Sequence, residues 1–228
     1  MKKSAPFSLN SFQLKLIGFA LTLVGAVGIT FFSAKEQQVI RFVLELISYP
    51  AIGIFVFLLV EGWKKTESRK HYVLGIALAA AATEPFYDYA CVGSWLDYGS
   101  ANGQNFLFAL LLCMFVLELL RWAEQSQRYK WFMVASLVIA IPFWAIMTNI
   151  RFSGIAILMA VIFCLLEKKP MVRFWVALVS GTALKYTCGL AAAVVHFYNG
   201  ERGSYNKYLF YALYPALWMI LALVKFFA

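Results

Sequence analysis

Apolar runs of roughly twenty residues, separated by short polar breaks, recur along the whole sequence, and that is the length an α-helix needs to cross the hydrocarbon core of a bilayer. The predicted spans are residues 13–33, 39–62, 71–90, 103–121, 130–148, 151–167, 171–198 and 206–227. Only Thr148-Asn149-Ile150-Arg151 divides the fifth from the sixth, and Pro142 is placed to kink the fifth. Hydrophobic residues make up 63% of the chain and charged residues 14%, against about 45–50% and about 25% in soluble domains. A water-soluble globule lacks the interior to hide this much apolar surface. The expected fold is therefore all-α: a polytopic integral membrane helical bundle of about eight transmembrane helices, one unit over residues 1–228 with no separate aqueous domain.

The charge distribution orients that bundle. The net charge of +9 comes from 20 Lys+Arg against 11 Asp+Glu, a balance that on a soluble domain would suggest nucleic acid. With eight spans, the loops on the amino-terminal side collect fourteen of these cations, among them Lys2, Lys3, Lys64, Lys65, Arg69, Lys70, Arg128, Lys130 and Lys225. The opposite loops hold Lys35, Arg41, Arg151, Arg202 and Lys207, and Lys185 lies within a span. Cytoplasmic loops are the basic ones, so an even span count places both termini in the cytoplasm; the cations serve orientation and anionic lipid, with no nucleic acid. Lys2-Lys3 precedes a long apolar run without a small-residue cleavage site, which reads as an uncleaved first helix. Cys113, Cys164 and Cys188 fall in apolar runs as small packing residues, and Cys91 stands alone near a loop.

Ionisable groups inside spans are costly and need a partner, a wet cavity or a neutral state. Glu45, Glu61, Glu84, Asp88, Glu118, Lys185 and His196 are of this kind. Glu61 and Glu118 lie close enough to span ends to snorkel. Glu84 follows His71, and Lys185 follows Val172, at the same distance along their helices. Both are thus expected ~20 Å above the cytoplasmic boundary, as partners at equal depth. Such a pair would fix helix register. Alternatively, Glu84 and Lys185 would line a polar cavity with Asp88, Tyr87, Asn105 and His196, opened where Pro85 frees a backbone carbonyl. There is no zinc spacing, P-loop, dinucleotide motif or Ser-His-Asp order, and His71 and His196 alone cannot build a histidine metal cage.

Several segments resemble the TraX family of membrane proteins, which is similar to the wider group of integral-membrane acyltransferases. Tyr49-Pro50 opens an apolar run ending in Glu61-Gly62-Trp63, followed by Thr66, Arg69, Lys70 and Tyr72. Glu84-Pro85-Phe86-Tyr87-Asp88 and Asn105-Phe106-Leu107-Phe108 continue the match in register, and Tyr198-Asn199-Gly200-Glu201-Arg202-Gly203 with Lys207 to Pro215 resembles the family's carboxy-terminal signature. The resemblance implies a multi-pass protein of a bacterial inner membrane that transfers an acetyl group from acetyl-CoA to an amine, such as the amino terminus of a pilin. In that reading Arg69, Lys70, Lys64 and Lys65 receive the coenzyme phosphates, Glu61, Glu84 or Asp88 manages the proton, and Asn105 donates to the developing oxyanion.

Three departures accompany the match. Where the family has an Asp-His pair late in its first helix, this chain has Gly25-Ala26. Where the family often has Asp-Tyr-Gly, it reads Thr148-Asn149-Ile150-Arg151-Phe152-Ser153-Gly154, and the histidine expected after Tyr214-Pro215 is replaced by Ala216. Losing a positioned general base costs ~10²–10⁴ in rate. The leading expectation is a degenerate relative that binds a peptide, a lipid or another membrane subunit, with the small residues Gly75, Ala77 and Ala79 to Ala82 permitting close helix contact. The alternatives are a working N-acetyltransferase and a small transporter built on Glu84 and Lys185.

Overall fold

The computed structural model describes residues 8–97, 102–125, 149–204, 206 and 208–227, with 131, 132, 135, 136, 140, 143 and 147. Lys2, Lys3, Arg128, Lys130, Pro142, Thr148, Lys207 and most of the expected fifth span lie outside the described residues. Among the described residues every regular element is helical. Helix α1 (Ser11–Phe31) starts at a capping box, in which Asn10 and Gln13 each accept the other's backbone N–H. A short 3₁₀ turn leads to α2 (Gln38–Ser48), which continues through helical Tyr49 into α3 (Pro50–Lys65). Helix α4 (Arg69–Val92) stops at Gly93, whose φ of 85° is the left-handed conformation that ends many helices. Then come α5 (Phe106–Gln125), α6 (Ser153–Leu165), α7 (Pro170–Lys185), a 3₁₀ turn over Tyr186–Leu190, α8 (Ala191–His196) and α9 (Leu209–Phe227).

Among the described residues, five helical stretches, Ser11–Phe31, Lys35–Lys65, Phe106–Gln125, Pro170–His196 and Leu209–Phe227, are long and apolar enough to cross a membrane by length and composition alone, before the path of each is considered. Their outward faces are apolar as well: Val39, Phe115, Trp175, Val179 and Ile220 are exposed. A helix apolar on its inner and outer faces alike belongs in lipid, and the chain is a helical membrane protein.

Two ends of the bundle can be distinguished by their polar contacts. At the near end, where α1 begins, Leu9 and Ser11 donate backbone hydrogen bonds to Phe197 and Glu201. There Lys64 meets Glu167 at 2.7 Å and Arg69 meets Glu118 at 3.4 Å. At the far end Gln104 pairs with Asn149 and Arg151, while Gly28 of α1 lies against Leu44 and Arg41.

The expected seventh span, 171–198, is not one pass. The chain turns at Tyr186, whose φ of 46° is rare for a residue with a side chain, and comes back down so that His196 packs on Phe174 at 5.4 Å. Two features enable the turn. A Cβ on Gly181 would lie 2.7 Å from Gly189 Cα, so only two glycines allow the arms to touch. Pro50 has no N–H to offer the carbonyl of Leu46, and Thr187 of the turn donates its hydroxyl there instead.

This hairpin overturns the expected placement of the termini. It delivers residues 197–201 to the near end, so α9 runs parallel to α1: Phe210 packs on Phe12 at 6.2 Å, while Lys225 donates to the carbonyl of Ala90 at the far end. The described chain therefore starts and finishes at opposite ends of the bundle, not on the same side. Lys225 moves to the far end and Arg202 to the near end, so among the described residues the cation bias survives.

Candidate functional site

Sequence-predicted residues do converge between α4 and the start of α5, in structural roles. Asn105 sits fully buried just before α5 and accepts from the Leu107 N–H, capping the helix. Its backbone N–H and its side-chain amide both donate to Glu84 Oε2, at 3.1 and 2.5 Å, and the amide also donates to the Ala80 carbonyl at 2.9 Å. Asp88 accepts the Asp97 N–H at 2.9 Å and ties down the loop after α4. Tyr87 donates to the Asn102 carbonyl at 3.2 Å and meets Trp218 edge-on at 4.8 Å. Burying a carboxylate is tolerable when backbone donors meet it, and Glu84 and Asp88 are so met. Both amide hydrogens of Asn105 are engaged in this arrangement.

Lys185 does not pair with Glu84. Standing at the hairpin tip, its ammonium lies 4.8 Å from the Tyr49 ring centre and 5.4 Å from that of Phe152. Here the far end opens a cavity of about 350 Å³ lined by Arg41, Glu45, Asn102, Arg151, Phe152 and Lys185 with neighbouring backbone. Glu45 organises it, accepting from Arg41 Nε at 3.0 Å, Arg151 Nη2 at 3.5 Å and the Tyr49 hydroxyl at 2.9 Å. Arg41, Glu45 and Tyr49 follow each other at intervals of four along one continuous helix, a single stripe. That spacing was the signal available in the sequence. Arg41 and Arg151 read there only as loop cations, because nothing local places residue 151 beside residue 45.

His196 also lies outside any such cavity. It is exposed at the near end against Phe174 and Phe197, because the doubling-back at Tyr186 carries it away from Lys185. The near-end cations are engaged too. Lys64 pairs with Glu167, Lys65 with Glu61, and Glu118 bridges Arg69 and Arg121. Lys70 is exposed.

Between these regions lies a small apolar void of about 60 Å³, lined by Gly25 and Ala26 of α1, Ser48, Tyr87, Arg151, Phe152, Tyr214 and Trp218 among others. Residues distant in sequence meet here. The family model for TraX protein matches residues 11–225, which includes all of these positions. This chain belongs to the TraX family. No curated protein and no solved structure matches the TraX-family chain. Its family-like segments thus include Tyr49-Pro50, where the hairpin docks, and Glu84 with Asn105, which join α4 to α5.

Proposed function

We propose that this TraX-family chain is a multi-pass bacterial inner-membrane protein, acting as one unit, that keeps the family fold and has lost acetyl transfer, serving as a binding or assembly subunit. What carries this reading is the void. Gly25, Ala26, Arg151, Phe152 and Tyr214, which stand at or beside the three departures from the family pattern, line the same space. Small and aromatic groups with one arginine, and no carboxylate or histidine among the lining residues, occupy the place where a base and its orienting partner would be needed. The position is also crowded: a Cβ on Gly25 would overlap the Ser48 hydroxyl and lie 2.5 Å from Ser48 Cβ. Helices α1 and α2 have closed over the position, so no side chain fits there without moving one of them.

Apart from exposed Lys70, the residues expected to receive acetyl-CoA already have carboxylate partners. A phosphate at the near end would have to displace Glu167, Glu61 and Glu118 from Lys64, Lys65 and Arg69, and the proposed proton carriers Glu84 and Asp88 are held by backbone amides. The expected outcome of titrating acetyl-CoA into the purified full chain in lipid nanodiscs is no saturable binding and no acetylation of an amine peptide. Saturable binding abolished by Arg69→Ala with Lys70→Ala would overturn the proposal and restore the acetyltransferase. Purification from native membrane as a monomer alone would overturn the assembly role.

The cation bias supports a cytoplasmic near end. With α9 parallel to α1, the carboxy terminus is then on the outer side, together with the Arg41–Glu45–Arg151 cavity.

A further inference from the structure

We infer that the far-end cavity is a binding site for a phosphate group, presented by a phospholipid headgroup or by a soluble phosphate ester. Three cations, Arg41, Arg151 and Lys185, line it with a single carboxylate, Glu45. That carboxylate is spent holding the two guanidiniums and the Tyr49 hydroxyl. Lys185 is different: its ammonium stands over the Tyr49 and Phe152 rings, and among the described residues no carboxylate forms an ion pair with it and no acceptor takes a hydrogen bond from it. A cation held without an anion at the wall of a cavity is a site lacking its counter-charge.

The chemistry follows from the donors. Arg guanidiniums and a Lys ammonium converging on one space favour phosphate oxygens, which accept several charge-assisted hydrogen bonds at once. Glu45 orients the two arginines and lowers the excess charge, leaving more cation than carboxylate in the cavity for a phosphate to neutralise. A volume of about 350 Å³ falls in the range of small-molecule pockets, ~300–1,000 Å³. Exposed apolar surface next in sequence to two of the cavity cations suits a headgroup with acyl chains attached: Phe42, which packs edge-on with Tyr186 at 5.7 Å, follows Arg41, and Leu184 and Tyr186 flank Lys185. None of the groups expected to carry acetyl transfer lines the cavity, although Arg151 and Phe152 line both it and the apolar void.

The test uses the full chain. Native mass spectrometry after exchange into phosphatidylglycerol, phosphatidic acid or phosphatidylcholine reads the lipid source. Thermal shift with inorganic phosphate and glycerol 3-phosphate reads the soluble one. The expected result is retention of anionic lipid or a saturable phosphate shift, weakened about tenfold or more by Lys185→Gln, preserved in Lys185→Arg and unchanged in Lys35→Gln, a far-end cation outside the cavity. Should Lys185→Gln fail to fold, Arg41→Gln gives the same reading. Anionic-lipid retention without a phosphate shift assigns the headgroup, and a phosphate shift without lipid retention assigns the soluble ester. Binding of neither class, or binding indifferent to both variants, overturns the inference.

Discussion

Glu84 looks, from sequence, like a group held ready for proton transfer, and the contacts around it give it a different task. Its Oε2 accepts two hydrogen bonds from Asn105, which a glutamine oxygen would accept equally well. Glu84→Gln is therefore expected to leave thermal stability within about 1 kcal/mol, whereas Glu84→Ala strands two buried donors and costs about 1–3 kcal/mol. Thermal unfolding of the purified variants separates the two, and a large loss in Glu84→Gln would contradict the capping role. Glu45 presents the opposite case, since it is the ion-pair partner of Arg151, whose side chain is only 13% exposed. Glu45→Ala leaves that cation without its carboxylate, and the expected destabilisation is about 3–5 kcal/mol, measured the same way. The candidate site was thus half legible. Glu84, Asp88, Tyr87 and Asn105 share neighbouring segments and announce themselves as polar groups in apolar runs. The meeting of the Arg41–Glu45 pair with Arg151 and Lys185 depends on segments far apart in sequence.

At the scale of helices, the proline at position 50 and the turn at Tyr186–Leu190 are complementary parts. A proline inside a helical stretch leaves one carbonyl without its amide, and in an apolar setting that acceptor needs a donor from elsewhere. Thr187 supplies it to Leu46. Replacing the threonine by valine removes the donor, at an expected cost of about 1 kcal/mol. In a Pro50→Ala background, where residue 50 regains its own N–H, the same Thr187→Val change should cost less. A double-mutant cycle on unfolding free energies measures this coupling, and strict additivity would rule out the proposed bond. Gly189→Ala tests the same hairpin by crowding. The new Cβ would lie 2.8 Å from the Thr182 backbone nitrogen, besides overlapping the Leu178 carbonyl and Thr182 hydroxyl. Overpacking against backbone is expected to cost about 1–3 kcal/mol, read as a lowered unfolding temperature.

For the molecule as a whole, the sharpest prediction concerns its two ends. Reporters fused to the amino and carboxy termini should fall on opposite sides of the membrane, the amino-terminal one in the cytoplasm. Accessibility of both to the same side would contradict the hairpin at Tyr186. Hydropathy and charge by themselves determined that this chain is a helical membrane protein, approximately where most of its helices lie, and which loops are basic, because transfer into lipid is decided segment by segment from each segment's own side chains and backbone. Only the tertiary structure decided that 171–198 folds back, since an apolar run of that length satisfies lipid either as one long helix or as two short arms. The choice falls to contacts from elsewhere in the chain: Thr187 on Leu46, Gly181 against Gly189, and His196 on Phe174. From that one turn follow the placement of the carboxy terminus, the separation of His196 from Lys185, and the position of Lys185 beside the Arg41–Glu45–Arg151 cluster.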